Sequence, residues 1–66
     1  MTVVVNGDER ELPAGSTVAD LLERFGLPRA GTAVAVHGEV VPRTEHADTV
    51  LPDGAVVEVL TAVQGG

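Results

Sequence analysis

At 66 residues the chain has room for one hydrophobic core and therefore one domain. Ten acidic residues against four basic ones, all four arginine, leave a net charge of -6, which disfavours nucleic acid and anionic membrane surfaces as partners and suits a basic surface on another protein. With no cysteine, neither a disulfide nor a thiolate metal site can hold the fold, and no persulfide can form on the chain itself.

Thr2-Val3-Val4-Val5 is a β-branched run that stops at Asn6-Gly7, a pair suited to a tight hairpin turn because both residues tolerate positive φ. The return arm, Glu9-Arg10-Glu11-Leu12, alternates charge and ends at Pro13, as a short strand near a sheet edge does. The period then changes. Thr17 is a candidate N-cap with Asp20 three residues later, and Val18, Leu21, Leu22 and Phe25 fall at helical spacing on one face. Gly26 is placed to terminate this helix in a left-handed conformation, and Pro28 prevents its continuation.

After a loop containing Arg29 and Gly31, Ala33-Val34-Ala35-Val36 is apolar at both parities and reads as a mid-sheet strand buried on both faces. Val40-Val41 is expected to form a short bent strand, and Thr44 to Asp48 a single helical turn after Pro42. Pro52-Asp53-Gly54 signals a turn before a last strand over 55–60. Valine dominates the apolar content and Phe25 is the single aromatic, a composition that favours strands over a helical bundle. These elements fit an α+β domain over residues 1–60. Its mixed four- to five-stranded sheet would carry the hairpin on one side, one helix across one face, and the last strand pairing near the first.

An ordinary active site is hard to assemble from this inventory. There is no Cys, Lys, Tyr or Trp. His37 and His46 lie nine residues apart in turn-like segments, with no third ligand or nucleophile placed beside them, and read as surface or turn residues. Thr17 and Asp20 are explained by capping, Ser16 has no basic neighbour to activate it, and the scattered carboxylates read as a solvated surface. The chain is expected to be a non-enzyme with no bound cofactor or metal. No apolar run approaches the ~20 residues of a membrane span and no secretory signal opens the sequence, so a cytoplasmic location is expected.

The remaining candidate is the end of the chain. Residues 61–66, Thr61-Ala62-Val63-Gln64-Gly65-Gly66, follow the last strand without a further turn signal and read as a flexible tail. Six extended residues reach about 20 Å, enough to carry the terminal carboxylate of Gly66 into a partner's active site. Lacking Cβ atoms, Gly65 and Gly66 can thread a narrow channel and leave that carboxylate open to a large electrophile. Capturing such a tail costs entropy, so the folded part must supply docking energy; an apolar patch near Leu60 and Val63 is the expected place.

Several short stretches resemble one family nearly end to end. They are Val5-Asn6-Gly7, Gly15-Ser16-Thr17-Val18 leading into Leu21-Leu22, Ala35-Val36 followed by Val40-Val41-Pro42-Arg43, Asp53-Gly54 before Val57-Glu58-Val59, and the closing Gly65-Gly66. The chain so resembles the ThiS family, the sulfur carriers of bacterial thiamine biosynthesis. Gly-Gly alone is a weak signal, and Val-Pro-Arg at this spacing before it is more specific. His37 stands where Asn is common, and Ala55 where an acidic residue often follows the turn glycine; both read as turn positions.

The resemblance implies a ubiquitin-like β-grasp fold, related to MoaD. It also implies a cycle in which a ThiF-type adenylyltransferase uses ATP and magnesium to adenylate Gly66. A persulfide donor then supplies sulfur, and the resulting Gly66 thiocarboxylate delivers it to the thiazole synthase ThiG. In that cycle Gln64 and Gly65 thread the partner's active site. Alternatives of the same shape are a carrier for molybdopterin or another thiolation pathway, a ubiquitin-like protein modifier, and a binding module with an inert tail.

Overall fold

The computed structural model describes residues 1–28 and 31–61. Among these residues the elements run β1 (Thr2–Val5), β2 (Asp8–Glu11), α1 (Val18–Arg24), β3 (Thr32–Val36), β4 (Glu39–Val41), a single 3-10 turn (Arg43–Glu45) and β5 (Val56–Thr61). The strands form one sheet in the order β2-β1-β5-β3-β4. Neighbours are antiparallel except β1 and β5, which run parallel and pair only at Val4 with Val56 and Val5 with Val57. The last strand therefore occupies the centre of the sheet beside the first, as the sequence pattern requires.

Local chemistry accounts for the punctuation. Asn6 (φ 51°) and Gly7 (φ 87°) are both left-handed, the geometry whose twist matches a two-residue hairpin, and His37 (φ 51°) with Gly38 (φ 83°) repeats it between β3 and β4. At the start of α1 the Asp20 amide donates to Thr17 Oγ1 (3.1 Å), while the Thr17 amide donates to Asp20 Oδ2 (2.9 Å), a reciprocal capping box. At the other end Gly26 N–H donates to the Glu23 carbonyl and Leu27 N–H to the Leu22 carbonyl, the pair of bonds that satisfies a helix end through a left-handed glycine. Thr17→Ala is expected to lower stability by about 1 kcal/mol in urea unfolding, since it leaves one of these amide donors without its acceptor.

Burial follows one face. Val18, Leu21 and Leu22 of α1 pack with Val3, Val5, Val34, Val57 and Val59 from the sheet, closed at the ends by Leu12, Leu51 and Ala55. Phe25 is half-buried at the margin, with the Arg10 guanidinium 5.6 Å from its ring centroid. This places a cation over the only aromatic ring of the chain.

Four expectations need correction. β3 is not buried on both faces: Thr32 and Val34 are buried, whereas Ala33 is exposed. The single seven-residue helix covers one side of the sheet, and no described element covers the other. The last strand runs one residue later than expected, so Thr61 belongs to β5 rather than to the tail. Ala55 is fully buried and accepts the Val4 amide through its carbonyl (2.8 Å), so it is a core position, not an exposed turn.

The fourth correction is His46, which lies in a turn yet is 1% exposed. Its Nε2 stands 3.0 Å from the Val41 carbonyl, and since a carbonyl only accepts, Nε2 carries the proton and donates. The His46 carbonyl in turn accepts the Ala19 amide (3.0 Å), so this residue ties the end of β4 to the first turn of α1. His46→Ala is expected to cost about 3 kcal/mol in chemical denaturation, through the cavity and the lost donor together.

Candidate functional site

The uncovered side of the sheet is where the alternation of each strand sends its other side chains. Cα register aligns Val4 with Val56, Ala33 with Leu60, and Ala35 with both Glu58 and Val40, so these residues share that face. Leu60 is 73% exposed, Val40 74% and Val56 46%. An apolar strip on the three inner strands and β4, with nothing described packed over it, is the kind of surface that marks a partner contact.

The charged residues that the described strands place on this face have one sign. Glu9 pairs with Val4 and Glu11 with Thr2 across the hairpin, and Glu58 lies between Val56 and Leu60 along β5. Arg10 is the one arginine in the five strands, and it sits at the opposite parity over Phe25. The face is thus apolar and acidic, complementary to an apolar surface with basic groups around it.

Leu60, expected from the sequence to belong to an apolar docking patch, is exposed and so is not a core residue. It is the penultimate residue of β5, which leads directly into the terminal residues. The other residues singled out there, Val63, Gln64, Gly65 and Gly66, lie outside the described residues.

Elsewhere two hydroxyls are occupied in structure. Ser16 Oγ donates to the Pro13 carbonyl (2.7 Å) and Thr49 Oγ1 to the Glu45 carbonyl (2.8 Å). Among the described residues no three His, Asp or Glu side chains are grouped to hold a metal ion, and no helix is long and apolar enough to cross a membrane.

One polar contact at the site was missed in the sequence. Asn6, read there only as a turn residue, reaches across to the centre of β5: its Nδ2 donates to the Val59 carbonyl (3.1 Å) and its Oδ1 accepts from the Val59 amide (2.8 Å). Asn6 and Gly7 also border an open depression on the uncovered face with Val4, Val56, Glu58 and Leu60.

Known proteins resemble this chain in sequence and in fold. The family model described as the ThiS family matches residues 3–66. The chain belongs to the ThiS family. A sulfur carrier protein ThiS from Escherichia coli is 32% identical over 66 residues, all of both chains. Another from Thermus thermophilus is 41% identical over 64 residues, 97% of this chain and 98% of that one.

A thiazole synthase from Paramagnetospirillum magneticum is 35% identical over the whole of this chain, which spans only 20% of that protein's length. Among solved structures, the crystal structure of a thiamine biosynthesis protein (ThiS) from Geobacter metallireducens superposes with a TM-score of 0.83 at 30% identity, covering all of both chains. The five-stranded sheet and single helix are therefore the ubiquitin-like fold of the ThiS family. The left-handed φ of His37 is one that His, like Asn, tolerates better than most non-glycine residues.

Proposed function

We propose that this chain is a sulfur carrier of thiamine biosynthesis, acting in the cytoplasm with no catalytic residues of its own and holding sulfur as a thiocarboxylate on Gly66. The observation that carries the reading is the end-to-end match to two ThiS sulfur carriers, in a chain that ends Gly65-Gly66 and whose central strand leads to that end beside an exposed apolar face. The match to a thiazole synthase supports an enzyme of that kind as the acceptor.

The chemistry follows from what a carboxylate lacks. It is a poor acyl donor, so a Gly66 oxygen attacks the α-phosphorus of ATP on a ThiF-type enzyme, with magnesium, and pyrophosphate leaves. A persulfide then attacks the acyl carbon and AMP leaves; a thiol cleaves the resulting S–S bond, departing as a disulfide and freeing the thiocarboxylate. ATP and magnesium belong to the activating enzyme, and this chain binds no cofactor. In the complex Val63 joins Leu60 in contacting the partner, while Gln64 and Gly65 occupy the channel to the reacting carbon. The acidic rim of the face steers it toward basic groups on the partner.

The test is mass spectrometry of the C-terminal peptide after incubation with ATP, a matched activating enzyme and a persulfide source. Oxidation of Met1 adds almost the mass gained on exchanging oxygen for sulfur, so the change must be located on Gly66 and confirmed by alkylation. Sulfur on Gly66 supports the carrier. An unmodified Gly66, with an enzyme proven active on another carrier, overturns it in favour of a modifier or a binding module.

A further inference from the structure

The parallel pairing between β1 and β5 ends early. It covers Val4 with Val56 and Val5 with Val57, and then β1 turns back at Asn6-Gly7 to make β2. The Asn6 amide gives one more ladder bond, to the Val57 carbonyl (2.9 Å). Beyond that point the second half of β5 has β3 on one side, through Ala33 with Leu60 and Thr32 with Thr61, and no described strand on the other.

The Asn6 side chain fills that gap. A carboxamide carries the same donor and acceptor as a peptide group, and this one meets both the amide and the carbonyl of Val59. It continues the ladder by one step after the backbone has left. The turn geometry makes this possible: at φ 51° the Asn6 backbone reverses direction, and Asn is among the residues that tolerate that conformation without large strain.

We propose that Asn6 is a positioning residue for sulfur transfer, its carboxamide fixing the direction in which β5 delivers the C-terminal residues to the activating enzyme. The inference rests on the carrier reading above. Val59 is buried, and the next residue, Leu60, belongs to the docking face, so the clamp sits at the junction between core, face and tail. With Asn6 in place, the strand leaves the sheet along one line once the face is docked. Without it, the last residues of β5 pivot on β3 alone, and the reacting carboxylate samples a wider volume at the same docking affinity.

The variant that isolates the clamp is Asn6→Gly, which keeps the left-handed turn and removes the carboxamide. Asn6→Asp is the near-isosteric companion, in which a carboxylate oxygen replaces the NH2 group facing the Val59 carbonyl. Two readouts are needed. Amide exchange should accelerate about 10-fold or more at Val59 in Asn6→Gly while the Val3, Val5 and Val34 amides stay slow. ATP–pyrophosphate exchange catalysed by a matched activating enzyme should show kcat about 10-fold lower, with the KM for the carrier within about twofold of the unmodified chain.

Asn6→Asp keeps an acceptor for the Val59 amide but sets a carboxylate oxygen against the Val59 carbonyl, so it should lower kcat as Asn6→Gly does, with a smaller effect on exchange at Val59. Unchanged exchange at Val59 would overturn the clamp. Faster exchange at Val59 with unchanged kcat would overturn its role in transfer, as would an effect confined to KM. If the unmodified chain is itself not adenylated by an enzyme active on another carrier, the carrier reading fails and the positioning role with it, whereas the exchange arm still decides whether the clamp exists.

Discussion

Replacing Gly66 with valine is expected to lower sulfur transfer by about 100-fold or more while leaving the thermal midpoint where it is. The reacting carbon in the proposed cycle belongs to this residue, and a branched side chain one bond away crowds both the approach to the ATP α-phosphorus and the later attack of sulfur on the acyl carbon. Folding is indifferent to the change because the core ends at Val59 and Gly66 lies five positions beyond Thr61, the last described residue. ATP–pyrophosphate exchange and C-terminal mass together read the chemical step, and differential scanning calorimetry reads the fold. Gly65→Val should impair the same step by constricting the chain one residue earlier. A Gly66→Val variant that transfers sulfur normally would mean that the terminus is inert and that the function resides in the sheet face alone.

Much of the architecture was legible because it is set by neighbours in sequence. Asn6-Gly7 dictates a hairpin whatever surrounds it, and Thr17 with Asp20 and Gly26 mark both ends of α1 through bonds spanning three to five residues. The misreadings share another cause. Apolar residues at both parities of β3 suggested two covered faces, but coverage depends on how many layers the chain can build, and one seven-residue helix builds only one. Ala33 and Ala35 then mark an outward face suited to close approach rather than a buried one. His46 has a bonding partner only five residues away, at Val41, yet its burial depends on the 3-10 turn folding toward α1, which no local pattern encodes.

The candidate site divides in the same way. Gly66 and Leu60 are candidates by their position toward the end of the chain, a property of sequence; the structure exposes Leu60, and Gly66 lies outside the described residues. The partner of Asn6 is 53 residues distant, so its clamp on Val59 could emerge only from the topology that brings the first and last strands together.

Leu60→Asp is expected to raise the KM of the carrier for its activating enzyme about 30-fold, the effect of losing roughly 2 kcal/mol at an interface hot spot. Two facts that normally conflict meet at this residue. Leu60 is a large apolar residue in the central strand of the sheet, a position where such a residue is usually core, yet it is 73% exposed. Its substitution therefore costs the fold little and the complex much. Charge adds to the effect, since Glu58 already places one carboxylate on this face and a second would demand another basic partner group. Val50→Asp is the matching control: Val50 is 60% exposed but pairs in isolation with Thr17, away from the uncovered face. It should leave KM unchanged. Equal losses in both variants would show that general acidity, rather than the Leu60 face, governs recognition, and an unchanged KM for Leu60→Asp would remove this face from the docking surface.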